Sequence, residues 1–514
     1  MNREQYLAFE DIVGPENISD DPVILDALAW RSGMMSPSQE FIPRYAAMIL
    51  PRDTAEVQAI VKLCNKFKVQ FKASSTGWGV YCDPKGAGVI KLDLRRMNKI
   101  IEINEKNLYA VVEPYVISAQ LQAELMKRGL NCNINGAGSI TSAMPLAAHE
   151  GIGHMSQACS FGERNLLAVE WVTPEGDVVK IGSFGSIGEW FSGDGPGPSL
   201  KGVIRGNVVP LGGLGVFTKA ATKVYHWPGP ATLALEGYSP SYNLREPLAN
   251  FLIRFLHFSG EEGRAAAVRK IGESEIGLVL MGFNAQMVAS NIGTSNEEEV
   301  QLAEQFLKEV KGPGFALAIA GNSPRDFDYK KRALEQIMEE TGGKALKYIE
   351  ENPSVMGSYL WRCIRVTASI RETFRATGTF GGEVFGTDAY NVQSNFIQHS
   401  VKDKQELIDR GLIYADNVIP FTTSLEHGQQ GHSEVLIRYT PSAETWQGVM
   451  EYVGKANENA VKGHYGLPHH VFGDPQQDFF GPNMSNYHLW LRKIKKTFDP
   501  NGVSESSNYI TAKE

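Results

Sequence analysis

Cysteine is scarce in this chain: five in 514 residues, at Cys64, Cys82, Cys132, Cys159 and Cys363, with no CxxC pair among them. That spacing excludes a cysteine-rich iron–sulfur or zinc module within the chain. An odd, dispersed set also suits a reducing cytoplasm better than a disulfide framework. Histidine is absent from residues 1–148. No apolar run approaches the ~18–20 residues that a membrane span needs. The opening "MNREQYLAFEDIVG" is charged and has no apolar core, so no secretory signal is expected. Positive charge is in deficit, with a formal net charge of −8, which argues against a nucleic-acid or anionic-membrane partner. Two phosphate-binding signatures are missing as well: no GxxxxGKS/T stretch occurs, and no GxGxxG follows a strand.

What is present is ordinary globular material, 42% hydrophobic and 21% charged, and long enough for two or three domains. "PRDTAEVQAIVKLCNKFKVQFKA" offers Asp53 as a helix N-cap with Glu56 three residues on. Val57, Ile60, Val61 and Cys64 follow at helical spacing, and "VQFKA" reads as the next strand. Strands are expected at 87–94 and 108–114, a helix capped by Ser118 and ended by Gly129, and a hairpin over 167–182. "HWPGP" near residue 226 reads as a domain boundary. Beyond it a helix is expected at 296–310, and strands at 275–283, 314–321 and 433–440. That alternation suits an antiparallel sheet with helices on one face.

Glycine is concentrated where strands and helices end. "KASSTGWGVY" (72–81) closes an αβ unit, and "NGAGSITSAM" (135–144), "HEGIGHMSQACSFGERN" (149–165), "GDGPGPSLKG" (193–202) and "VPLGGLGVFTKA" (209–220) follow. Small residues let a backbone come close to a ligand and turn its N–H groups inward. Several such loops within a short stretch of chain suggest one long ligand, of dinucleotide size, lying across them.

These segments carry a specific resemblance. "ILPRDTAEVQAIVKLCNKFKVQFKASSTGWG" and "VIKLDLRRMNKIIEINEKNLYAVVEPYV" resemble the FAD domain of the vanillyl-alcohol oxidase and p-cresol methylhydroxylase family. "FGERNLLAVEWVTPEGDVV" and "GPGPSLKGVIRGNVVPLGGLGVFTKAATKVYHWPGP" look equally like its glycolate and D-lactate dehydrogenase branch, and "IKKTFDPNGV" (494–503) is similar to its C-terminal signature. The resemblance implies an α+β fold. A two-part FAD-binding domain of the p-cresol methylhydroxylase type would comprise 1–226 and 475–514. An antiparallel-sheet cap with helices on one face would occupy 227–474. Ser74, Ser75, Thr76, Gly77, Trp78 and Gly79 would then cradle the pyrophosphate. Gly138, Ser139 and Ser142 would approach the flavin, Gly162 would sit near the ADP portion, and Val216 would offer backbone to the adenine side.

The chain departs from that family in places. Many members attach flavin through a histidine in or beside the pyrophosphate loop, and none stands before His149 here, so non-covalent FAD is expected. In "SLEHGQQGHSEVLIRY" (424–439), His427 matches the first of two histidines that hold a divalent metal in the hydroxy-acid branch. The second falls on Glu434, which would still suit a hard cation. The Asp-Gly-Asn usual between them is replaced by Gln430, Gly431 and His432. His427, His432, and His469 and His470 of "KGHYGLPHHVFGD" are candidates to take a substrate hydroxyl proton. Arg362, in "LWRCIRVTASIRETFR" with Arg365 and Arg371, is a candidate for a substrate carboxylate. Tyr390 is a candidate cap residue; with Tyr465 and Arg362 it is available for the phenolate site of the phenol-oxidising members, but the surroundings of these residues do not match that motif. "HEGIGH" reads as pocket wall.

The resulting expectation is an FAD-dependent oxidoreductase that takes a hydride from an alcohol or 2-hydroxy acid. Electrons would pass to a separate acceptor: an iron–sulfur protein, a cytochrome, an electron-transfer flavoprotein or oxygen. An aromatic-alcohol or alkylphenol oxidase, and a non-catalytic flavin-binding subunit, remain as alternatives. A homo-oligomer is left open.

Overall fold

A computed structural model describes residues 1–28, 43–76, 84–136, 138–148, 153–182, 188–190, 200–206, 209–237, 242–310, 312–366, 381–415, 420–440, 442–466, 468 and 471–513. Its first layer is a sheet of β1 (Ile18–Ser19), β2 (Ala47–Ile49), β3 (Phe71–Ser74) and β4 (Ile90–Asp93), in the order β1-β2-β4-β3. β4 runs parallel to β2 and β3, and Ser74 stands opposite Asp93. The helix Thr54–Phe67 links β2 to β3. Asp53 caps it by accepting from the Glu56 N–H at 2.9 Å, and the Glu56 carboxylate takes the Arg52 N–H. Val57, Ile60, Val61 and Cys64 are fully buried against Phe71, Ile90 and Leu92. This apolar stripe holds the αβ unit together, each branched side chain contributing about 1.5–3 kcal/mol by burial.

Beside it lies an antiparallel sheet of β5 (Ile100–Asn104), β6 (Tyr109–Val112), β7 (Leu166–Val172), β8 (Val178–Ile181) and β9 (Val216–Lys223), ordered β5-β6-β9-β7-β8. The β7–β8 turn closes with Thr173 N–H on the Asp177 carbonyl, and Gly176 takes φ +89°. The helix Ser118–Met126 packs on this sheet. Ser118 is its first residue rather than its cap: Ile117 occupies the cap without a side-chain bond, and the Ser118 hydroxyl donates to the Thr141 carbonyl instead. The C-terminal segment returns to the first layer, with Ser504 bridging to Phe71.

A seven-stranded antiparallel sheet forms the cap. Its strands are β10 (Phe251–His257), β11 (Val279–Phe283), β12 (Gly314–Ala320), β13 (Lys344–Ala345), β14 (Gly381–Ala389), β15 (Phe421–Leu425) and β16 (Gln430–Ile437), ordered β13-β10-β12-β11-β15-β16-β14. Alternation along the strands separates its two faces. Leu256, Leu280, Phe315 and Leu317 pack on the helices Glu261–Glu273 and Pro324–Thr341, while Val435 and Ile437 pack on Tyr390–Asp409 and Ala443–Gly463. The opposite face presents Ile253, Phe255, Val279, Phe283 and Ala316. It meets the helices Ala285–Ile292, Asn296–Glu309 and Pro353–Arg365, together with Met126, Met155 and Cys159 of the N-terminal part.

The last hairpin differs from its sequence-based reading. Its second strand begins at Gln430, not 433, so His432 lies within the sheet, on the same strand as Glu434, rather than before it. The turn occupies 426–429, where Glu426, His427 and Gly428 all take positive φ. The pairing with β15 explains the shift: Thr423 opposite His432 and Phe421 opposite Glu434 extend the ladder through the polar residues.

Candidate active site

The N-terminal part offers a surface for a long anionic ligand. Ser74 ends β3 at the carboxyl edge of the parallel strands, where open α/β sheets bind ligands. Its hydroxyl is buried without a hydrogen-bond partner among the described residues. Ser75 and Thr76 follow in a half-buried bend, and Gly77, Trp78 and Gly79 lie outside the described residues. Gly138 adopts φ +129°, which L side chains avoid, and a Cβ there would meet nothing closer than 3.9 Å. Ser139 and Ser142 are buried beside it. The Ser139 N–H donates to the Val366 carbonyl at 2.9 Å, and the Ser142 hydroxyl to the Pro114 carbonyl at 2.5 Å. Gly162, itself buried, opens a 3-10 turn, and Val216 begins β9 opposite Val172.

Across from these loops stands the cap face that meets the N-terminal part. On β15 and β16 that face carries Phe421, Thr423, His432 and Glu434, and Met281 of β11 pairs with Thr423. His432 is 1% exposed, with the Phe421 ring 6.2 Å away. The Thr423 hydroxyl donates to the Leu280 carbonyl at 2.5 Å. The turn His154–Gln157 of the N-terminal part packs on β11 and β15 and so closes one side of this area. Burial disfavours charge. It pushes the His432 imidazole down to about 3 and the His154 imidazole down to about 4, and it pushes the half-buried Glu434 carboxyl up to about 7. Both imidazoles are therefore neutral at pH 7, and Glu434 titrates there.

The other sequence candidates are dispersed. His427 is exposed in the left-handed turn at φ 57°, where its carbonyl would collide with any Cβ on Gly272. The structure does not bring His427 and Glu434 together as the expected metal pair. Four strand steps, about 13 Å of rise, separate Gln430 from Glu434, and His427 lies further off, within the turn itself. One ion needs both donor atoms within about 2–2.6 Å of it. Tyr390 and Tyr465 are buried on the helix-covered face, Tyr390 near Arg264 and Tyr465 near His399. Arg362 lies on the helix Pro353–Arg365, which packs on the opposite face. These three residues therefore do not converge on a common phenolate site. Arg365 donates to the Gln122 amide oxygen at 2.5 Å, and the Gln122 amide donates to the Ile364 carbonyl at 2.8 Å. His469, His470 and Arg371 lie outside the described residues.

Glu426 carries no sequence signal of its own as a site residue. Its carboxylate accepts from the Phe161 N–H at 2.9 Å and pairs with Arg164, tying the cap hairpin to the N-terminal part. Nothing in the local sequence marks such a joint, since its partners lie more than 260 residues away.

Comparison with known proteins defines the class. Residues 45–182 match the FAD binding domain family. The chain as a whole shares the fold of p-cresol methylhydroxylase solved with substrate bound: TM-score 0.77, 17% identity, covering 99% of this chain and 96% of that one. It is thus a protein with an FAD binding domain on the p-cresol methylhydroxylase fold. Among curated proteins it is similar to the 4-cresol dehydrogenase [hydroxylating] flavoprotein subunit of Pseudomonas putida, 28% identical over 36% of this chain and 37% of that protein. It is also similar to glycolate oxidase subunit GlcD of Bacillus subtilis, 27% identical over 41% of this chain and 43% of that protein. These alignments span less than half the length of either relative. The surface described above fits FAD. The orphaned Ser74 hydroxyl and the open backbone at Gly138 are features that a phosphate-bearing, planar ligand would satisfy. No helix among the described residues is long and apolar enough to cross a membrane.

Proposed function

We propose that this protein is an FAD-dependent oxidoreductase that oxidises the hydroxyl-bearing carbon of a 2-hydroxy acid or small alcohol. The observation that carries this reading is the polar row on β15 and β16. Thr423, His432 and Glu434 share the cap face against which the FAD-binding part docks. Ser74, Ser75 and Thr76, with Gly77 to Gly79 after them, would hold the diphosphate, and Gly138 and Ser139 the flavin. Bound FAD supplies a two-electron acceptor. The chain's own residues do the rest. The segment at His154 and the apolar Phe421 and Met281 exclude water from one side of the pocket. The neutral His432 imidazole shapes its wall without adding charge.

Residues 1–226 and 475–514 would form the FAD-binding unit and 227–474 the cap, with FAD held non-covalently. Electrons would leave to a separate acceptor, in keeping with relatives that are named as subunits. The dispersal of Tyr390, Tyr465 and Arg362 favours hydroxy acids over alkylphenols. The test is anaerobic flavin bleaching by the purified yellow protein. Bleaching by glycolate, lactate or 2-hydroxyglutarate supports the reading. Bleaching by 4-alkylphenols alone would replace it with the phenol reading, and no bleaching by either class would leave a non-catalytic flavin carrier.

A further inference from the structure

We infer that Glu434 is the general base of this site, taking the proton of the substrate hydroxyl. The inference rests on the proposed oxidation of a hydroxyl-bearing carbon. With bound FAD as the acceptor of the hydride and both electrons of the C–H bond, the substrate oxygen would give its proton to the Glu434 carboxylate and a carbonyl would form.

Placement is the first argument. Glu434 stands two residues from His432 on β16, on the same cap face, and it is half-buried where His432 is sealed at 1% exposure. A small molecule at this face therefore meets the carboxylate before the imidazole.

The second argument is what surrounds the carboxylate. Three acids of the fold show the usual pairing, although Glu163 keeps a buried carboxylate oxygen without a hydrogen-bond partner among the described residues. Glu170 meets Lys219 at 2.6 Å, Glu505 meets Lys72 at 2.9 Å, and Glu261 meets Arg264 at 2.7 Å. Glu434 has no hydrogen bond or ion pair among the described residues. Its neighbour across the ladder is the apolar Phe421. The titratable and charged groups on the elements around it include His432 of its own strand and Arg438 just past that strand's end, Glu299 of the helix Asn296–Glu309, Arg362 and Arg365 of the helix Pro353–Arg365, and His154 of the docking turn. Glu383 and Asp388 of β14 stand opposite Val435 and Gly431, while Val384 stands opposite Glu434. Arg438 faces Glu299 at 3.6 Å, with its Nε and that terminal nitrogen buried and without a hydrogen bond among the described residues, and both imidazoles are neutral. Burial is the only cause of the Glu434 shift. An unpartnered carboxyl in a partly dry site costs stability and is kept where a reaction uses it.

The third argument decides between the two candidate bases. A group that titrates near 3 holds a proton in about one molecule in 10⁴ at pH 7, so His432 is a poor resting place for one. A base is most effective when its pKa lies near the working pH, and Glu434 meets that condition at about 7.

The test uses FAD-loaded protein with glycolate, lactate and 2-hydroxyglutarate as probes. Wild-type flavin reduction in a single anaerobic turnover should rise with pH through neutrality. Glu434→Gln should keep its flavin and reduce it ~10²–10⁴-fold more slowly, without the neutral-range limb. Glu434→Asp should recover part of the rate. Independently of turnover, infrared difference spectra of the wild type should show one carboxyl titrating near neutrality, and Glu434→Gln should lose it. A reducible wild type whose Gln variant keeps both rate and pH profile overturns this role and leaves the oxidation reading intact. So does a Glu434 signal that titrates in the ordinary carboxylate range. A wild type that no hydroxy compound reduces overturns the oxidation reading, and this role with it.

Discussion

Replacing Glu505 by Gln tests whether the C-terminal return holds the diphosphate strand in place. Lys72 lies on β3, two residues before Ser74, and is 1% exposed. Its ammonium meets the Glu505 carboxylate at 2.9 Å and the Glu505 carbonyl at 3.3 Å. Next to it, Lys495 binds Asp499 at 2.5 Å and the Gly213 and Ser504 carbonyls at 2.8 Å each. Removing one partner of a buried pair strands the other charge, at a cost of about 3–5 kcal/mol. Unfolding entropy of about 2.1 cal/mol/K per residue amounts to about 1 kcal/mol/K for a chain of this size. The melting temperature should therefore fall by about 3–5 °C. Flavin should also dissociate more readily, because Ser74 and Ser75 follow directly on the disturbed strand. The pH dependence has a definite sign. Burial pushes the Glu505 carboxyl up, but Lys72 and the hydrogen bonds from Ser507 outweigh it and hold the group below its usual range. A depressed carboxyl stabilises above its unfolded pKa, and that stability is lost as pH falls through the folded value. Acid should thus narrow the gap between Glu505→Gln and wild type. Calorimetry with flavin fluorescence measures both effects. A variant that melts with the wild type at neutral pH and holds its flavin equally well would refute the reasoning. The double change Lys72→Met with Glu505→Leu should recover most of the loss.

Other outcomes follow from the same geometry. Acid precipitation of the yellow protein should leave the colour in the supernatant, and colour in the pellet would show a covalent link from the cap. Glu426→Ala removes the acceptor for the Phe161 N–H and the partner of Arg164. It should cost about 1–3 kcal/mol and speed proteolysis at the cap joint, as read by limited digestion. His427→Asn keeps a residue that tolerates the left-handed turn, so flavin-reduction rate and melting temperature should match the wild type. A large rate loss there would return His427 to the site.

Local chemistry made much of the N-terminal part legible. The Asp53 cap, the Val57–Cys64 stripe and the strand that follows are decided within a few residues of one another, and the structure has each in place. The hairpin over 167–182 was equally plain, because its turn residues and alternation are local signals. The glycine-rich loops pointed to a nucleotide-sized ligand, and the FAD binding domain match bears out that class.

The site in the cap was legible only as a cluster of polar residues. The sequence by itself determined that His427, His432 and Glu434 lie close along the chain. Tertiary pairing decided which of them share a face. The register of β16 against β15 puts His432 and Glu434 on the side toward the FAD-binding part, and the left-handed turn sends His427 to solvent. A slip of one residue would have exchanged those faces, and no signal within 424–439 sets that register. It is set by the neighbouring strand and by the apolar contacts of Val435 and Ile437 with helices that begin at residues 390 and 443. Burial, which moves Glu434 toward neutrality and His432 away from it, exists only once those distant segments have closed around the sheet.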